Sequence, residues 1–142
     1  MSVVIRPEEV REAWLNRLTQ LLNLVKSWAV ELDLPTRTIE VNLEDSEMGR
    51  YKAPALMIQD GGVKVLMEPI APSAPGAEGV VDLYLMPAYD DIASLYLADG
   101  VWHLHYMFPE SPAVGNIRAA EGFPLTKAVF QRVLEAMKQH AV

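Results

Sequence analysis

The sequence predicts an α+β domain, a two-layer sandwich in which a mainly antiparallel meander sheet of about six strands carries a long N-terminal and a C-terminal helix on one face. Three observations point there. Both ends of the chain show the 3.6-residue apolar period of a helix, the middle is a series of short β-rich segments, and two dipeptides between those segments suit two-residue hairpin loops. A single domain over 1–142 follows, because two cores of about 70 residues each would lie near the practical minimum for independent folding.

From Pro7 to about Leu32 the residues Val10, Trp14, Leu18, Leu21, Val25, Trp28 and Leu32 recur at spacings of three and four, one face of a helix. Pro7 fits the first turn, where its missing N–H is not needed, and Glu8, Glu9 and Glu12 sit where the helix dipole favours negative charge. Leu34-Pro35 stops the helix. Leu15, Leu22 and Ala29 widen the stripe beyond a coiled-coil seam, so the helix is expected to lie on a sheet, with Trp14 and Trp28 in the core. A second helix is expected from near Pro124 to about Gln139, with Phe130, Val133, Leu134 and Met137 on one face.

Six strands are expected between them: Thr36 to Leu43, Ala55 to Gln59, Val63 to Ile70, Val80 to Met86, Ala93 to Ala98 and Val101 to Phe108. Gly61-Gly62 and Asp99-Gly100 read as type I′ turns, which need positive φ at both central positions. Pro72 to Gly79 is too rich in Pro and Gly to continue a strand and reads as an exposed connection.

Two-residue loops fix register, and register sorts side chains between faces. Asp99-Gly100 pairs Leu97 with Trp102, Tyr96 with His103, Leu95 with Leu104 and Ser94 with His105; Gly61-Gly62 pairs Ile58 with Val65 and Met57 with Leu66. Leu95, Leu97, Trp102, Leu104 and Tyr106 then meet the helices. The opposite face carries Glu40, Gln59, Lys64, Glu68, Asp82, Tyr84, Tyr96, His103 and His105, with Met57, Leu66 and Met86 among them. A solvated sheet face is expected to be polar. The apolar admixture is more than solvation requires and marks a contact surface or pocket, for which Lys64, Leu66, Glu68, Asp82, Tyr84, Tyr96, His103 and His105 are the candidates.

Composition narrows the chemistry. Asp plus Glu number 19 against 12 Lys plus Arg, a formal charge of −7 with no cationic run, which disfavours nucleic acid because that binding draws on clustered cations. The absence of Cys removes disulfides, thiolate nucleophiles and Cys-ligated zinc. No membrane span or signal core is legible, so a cytoplasmic protein is expected.

His103-x-His105 is the sharpest local pattern, since residues two apart on a strand project the same way and can offer two imidazoles to one divalent metal. A metal site would need Glu68 or Asp82 as well. Asp82, Glu68 and Lys64 form a second candidate, two carboxylates and a lysine of the kind that holds Mg²⁺ for phosphodiester hydrolysis, although Lys64 precedes Glu68 by four residues instead of following it by two. Asp90-Asp91 reads as a loop tip, Glu44, Asp45 and Glu47 as a solvated acidic turn, and Gly115-Asn116-Ile117-Arg118 as a turn beside an Arg. No phosphate-binding glycine loop or serine-nucleophile elbow is present.

The sequence therefore leans away from an enzyme and towards a non-catalytic module that binds a protein partner or its own copy, without a cofactor. Secretion chaperones and bacterial immunity proteins include small acidic α+β binders, an analogy of size and charge alone. The alternative is a metal-dependent hydrolase or small-ligand-binding protein built on His103, His105, Glu68 and Asp82, with a divalent metal as its one candidate cofactor.

Overall fold

A computed structural model describes residues 6–106 and 122–140. Its elements run α1 (Pro7–Glu31), β1 (Thr36–Asp45), β2 (Gly49–Asp60), β3 (Val63–Ala71), β4 (Val80–Met86), β5 (Asp90–Ala98), β6 (Val101–Tyr106), β7 (Phe123–Pro124) and α2 (Lys127–His140). The strands form one antiparallel sheet in which each pairs with the next in sequence, in the order β1 to β7.

The α1 stripe does what its period requires. Trp14, Leu18, Leu21, Leu22 and Val25 are buried and join Phe130, Val133, Leu134 and Met137 of α2 in one core, and Ala29 is buried on the same stripe. The helices touch through Trp28 and Phe130, whose ring centroids are 5.8 Å apart, and through an ion pair from Lys127 to Glu31 of 3.0 Å. Helix α1 ends in a Schellman motif. The Leu34 N–H donates to the Ala29 carbonyl at 2.8 Å and the Asp33 N–H to the Val30 carbonyl at 3.1 Å, with Asp33 in the left-handed region at φ 58°.

Both hairpin registers fall where the dipeptides set them, including Tyr96 with His103, Ser94 with His105, Ile58 with Val65 and Met57 with Leu66. Asp99 and Gly100 have φ of 52° and 76°, the type I′ pattern. At Gly61-Gly62 only Gly61 is positive, at 63°, which is the type II′ pattern; the first position of that turn takes the positive φ, so the loop keeps its length and its register.

Several boundaries differ from expectation: β1 runs on to Asp45, α2 begins at Lys127 with Pro124 in a strand, and three further differences shape the sheet. The sheet has seven strands, not six, because Phe123–Pro124 adds to β6 through His103 and Leu104, a pairing too short to show as periodicity. Asp90 pairs with Leu85 and opens β5, so Asp90-Asp91 is strand and not loop tip. Finally β2 begins at Gly49. Its pairing with β3 covers only Leu56 to Asp60, while its earlier half pairs with β1 alone. Two-stranded ribbons twist more strongly than wide sheets, and here the buried positions pass from Tyr51, Ala53 and Ala55 to Leu56 and Ile58, a change of parity within one strand. The Trp14 indole N–H donates to the Tyr51 hydroxyl at 3.0 Å and ties this ribbon to α1.

Of the expected acidic turn only Glu47 lies in the turn; Glu44 and Asp45 are the last two residues of β1, paired with Arg50 and Gly49. Asp45 Oδ1 accepts from the backbone N–H groups of Glu47 and Met48, which holds its carboxyl below the usual range. The connection from Pro72 to Gly79 ends against the core, where Gly79 is buried beside the rings of Trp14 and Trp102. The Gly115–Arg118 stretch and the end of the expected sixth strand, Met107-Phe108, lie outside the described residues.

Candidate functional site

The meander answers the question that decides the site, which is whether the polar residues of the outer face are neighbours. Glu68 pairs with Asp82, Asp82 with Ser94, and Ser94 with His105, so one cross-strand row over β3, β4, β5 and β6 reads Glu-Asp-Ser-His. A parallel row contains Val80, Tyr96 and His103 and ends at Pro124. On the other side of the polar row, Leu66 pairs with Tyr84. The β4–β5 register shifts between Leu83 and Tyr84, a bulge within the site that changes which β5 residues oppose Tyr84.

The hydrogen bonds within the row are internal. Ser94 Oγ donates to Asp82 Oδ1 at 2.7 Å and the Tyr84 hydroxyl to Asp82 Oδ2 at 3.3 Å, so each carboxylate oxygen has a donor from its own chain. Across the edge of the row the Tyr89 hydroxyl donates to Glu68 Oε1, and this bond to an anion is the main reason the Tyr89 phenol is raised above its ordinary value. Tyr89 also stacks on Tyr84, centroid to centroid 4.0 Å and 9° from parallel.

Tyr89 was not legible as a site residue. It belongs to the β4–β5 turn, has φ 60°, and remains 47% exposed. A bulky side chain in the left-handed region is uncommon, and here it is accompanied by the hydrogen bond to Glu68 and the stack on Tyr84. The signal available in the sequence was an aromatic placed beside Pro87 and Ala88 in a loop over a strand face that already carried Tyr84.

The histidines separate. His103 stacks on Tyr96, its cross-strand partner, at 5.2 Å and 15°, and its Nδ1 is buried without a hydrogen-bond partner among the described residues. His105 lies in the polar row beside Ser94, with Ser94 between it and Asp82. Among the described residues no group of three His, Asp or Glu side chains is placed to hold one metal ion. Lys64 is exposed on β3 opposite Met86, and at about 3.3 Å per residue its Cα is about 13 Å along the strand from that of Glu68. Glu40 pairs with Pro54 at the β1 edge, three strands from Asp82. Leu66, expected on the contact surface, is only 5% exposed.

The row also differs from a nucleophilic triad. In that arrangement a histidine takes the serine proton, whereas here Ser94 donates directly to a carboxylate. What the face offers is an anionic and aromatic surface: two partly buried carboxylates, a stacked tyrosine pair, and a tyrosine–histidine stack beside them.

No protein-family model matches the chain, and neither a curated protein nor a solved structure matches it. No helix among the described residues is long and apolar enough to cross a membrane.

Proposed function

We propose that this chain is a non-catalytic binding module whose outer sheet face receives a protein segment bearing Arg or Lys beside apolar residues. The observation that carries the reading is the pair of carboxylates already capped by hydroxyls of the same chain. Asp82 accepts from Ser94 and Tyr84 and Glu68 from Tyr89, an arrangement that fixes their charge in place instead of presenting a base or a ligand set. Fixed carboxylates beside aromatic faces attract cations through charge and through the ring quadrupole, worth about 0.5–2 kcal/mol per cation–π contact. The formal charge of −7 adds long-range attraction for a cationic partner.

The test is calorimetric titration of the full chain with short peptides that combine Arg or Lys with aromatic or aliphatic residues, against charge-reversed controls. Binding of the cationic set, weakened at least tenfold in Glu68→Gln and in Tyr89→Asn, is the expected result. Equal binding by both variants and the original chain would remove the outer face as the site.

A second reading, a metal-dependent hydrolase or small-ligand-binding protein, draws on the row that brings Glu68, Asp82 and His105 into one line. Stoichiometric divalent metal in untagged protein, lost in His103→Ala/His105→Ala, would favour it over the first.

A further inference from the structure

We propose that β1 is the seam of a two-fold dimer in which two copies of this chain join their sheets edge to edge. β1 is the first strand of the sheet order, is ten residues long, contains no proline, and pairs only with β2. Among the described residues no backbone hydrogen bond from β1 reaches any other element, so its outer N–H and C=O groups are open to another strand. At the opposite edge, among the described residues, the two-residue β7 covers His103 and Leu104 of β6.

Symmetry and charge select the register. In a two-fold antiparallel pair the paired residues share a face, so the axis must pass through a residue opposite itself. An axis at Glu40 opposes two glutamates, and one at Asn42 sets Glu40 against Glu44 twice; like charges directly opposite are destabilising. Axes at Ile39, Val41 and Leu43 avoid both, and of these only Val41 sets opposite charges against each other. That axis pairs Val41 with Val41, Ile39 with Leu43, Glu40 with Asn42, and Arg37 with Asp45 at each end.

The residues brought together are in the right condition for this. Arg37 is exposed and has no ion-pair partner among the described residues. Asp45 receives its turn N–H groups on Oδ1, which leaves Oδ2 for a guanidinium. Ile39, Val41 and Leu43 are half-buried in the single chain, and the pairing would cover what remains of them. The seam is separate from the outer face and does not rest on the function proposed for it.

The chain contains no cysteine, so one introduced thiol reports the axis without background. Directly opposed residues of an antiparallel pair have Cα atoms about 4.5–5.5 Å apart, within disulfide reach. Val41→Cys in the full chain is expected to form a covalent dimer under mild oxidation, and Arg50→Cys, exposed on β2, is not. Light scattering of the unmodified protein should give about twice the 15.8 kDa chain mass, and Arg37→Glu should weaken dimerisation at least tenfold. Tyr89→Asn should leave the dimer intact, which separates this seam from the outer face. A monomeric mass up to submillimolar concentration would overturn the proposal, as would a dimer that the Val41→Cys substitution fails to cross-link.

Discussion

Trp14 and Tyr51 meet at 3.0 Å, indole N–H to phenol oxygen, inside a core where Trp14 is 1% exposed. The bond joins α1 to the ribbon half of β2, where no third strand supports the pairing. Tyr51→Phe keeps the ring and removes the acceptor, leaving a buried indole donor unpaired. A loss of about 1–3 kcal/mol is expected, read as a lower urea midpoint with unchanged slope.

The same phenol gives the protein an alkaline limit. Burial is the main cause that raises Tyr51 above the ordinary value of 10.0, so the folded state keeps the proton longer than the unfolded chain does. Its contribution is complete below about pH 10 and declines as pH rises from there through the folded value. Urea midpoints between pH 8 and 11 should fall in that upper range, and fall less steeply in Tyr51→Phe.

Gly79 is a packing requirement. A Cβ built there lies 2.8 Å from Trp14 Cζ3 and 3.4 Å from Trp102 Cη2, against a tryptophan ring the core holds in place. Gly79→Ala is expected to cost about 1–3 kcal/mol by overpacking. Calorimetric Tm of the variant checks this; an unchanged Tm would mean the ring yields.

Asp33 occupies a position that favours glycine, the left-handed residue of the Schellman motif closing α1. Asp33→Gly is expected to stabilise the fold by up to about 1 kcal/mol, and Asp33→Val to destabilise it by a similar amount, since a β-branched residue tolerates positive φ least. Thermal unfolding of the two variants should bracket the original chain.

Tyr89 should behave in the opposite way with respect to binding. Tyr89→Asn places a residue that tolerates φ 60° at the turn, so stability should hold or rise by up to about 1 kcal/mol while affinity for a cationic partner falls. Paired denaturation and titration data on this one variant separate a residue kept for folding from one kept for recognition.

Much of this arrangement was legible in the sequence because two-residue hairpins transmit exact register. Asp99-Gly100 alone places Ser94 beside His105 and Tyr96 beside His103. What one hairpin cannot transmit is the alignment across a longer connection. Glu68 beside Asp82 depends on how the chain returns after Pro72–Gly79, and no periodicity specifies that. The early half of β2 was hidden for a different reason: Arg50, Lys52 and Pro54 interrupt the apolar pattern, and its buried side changes parity midway. Tyr89 depends on side chains meeting across a turn, a relationship that neither propensity nor alternation encodes.

The consecutive strand order also bears on how the chain is made. Since each strand's partner is the one just before it, the sheet can grow strand by strand in the direction of synthesis, with little loop-closure entropy at the two-residue turns of β2–β3 and β5–β6. The exception is α2. Phe130, Val133, Leu134 and Met137 complete the core that α1 opened, so the apolar layer stays unfinished until α2 has emerged from the ribosome. A chain stalled before Lys127 would present its partly covered core to the cell's chaperones, and the docking of α2 is the event that ends that exposure.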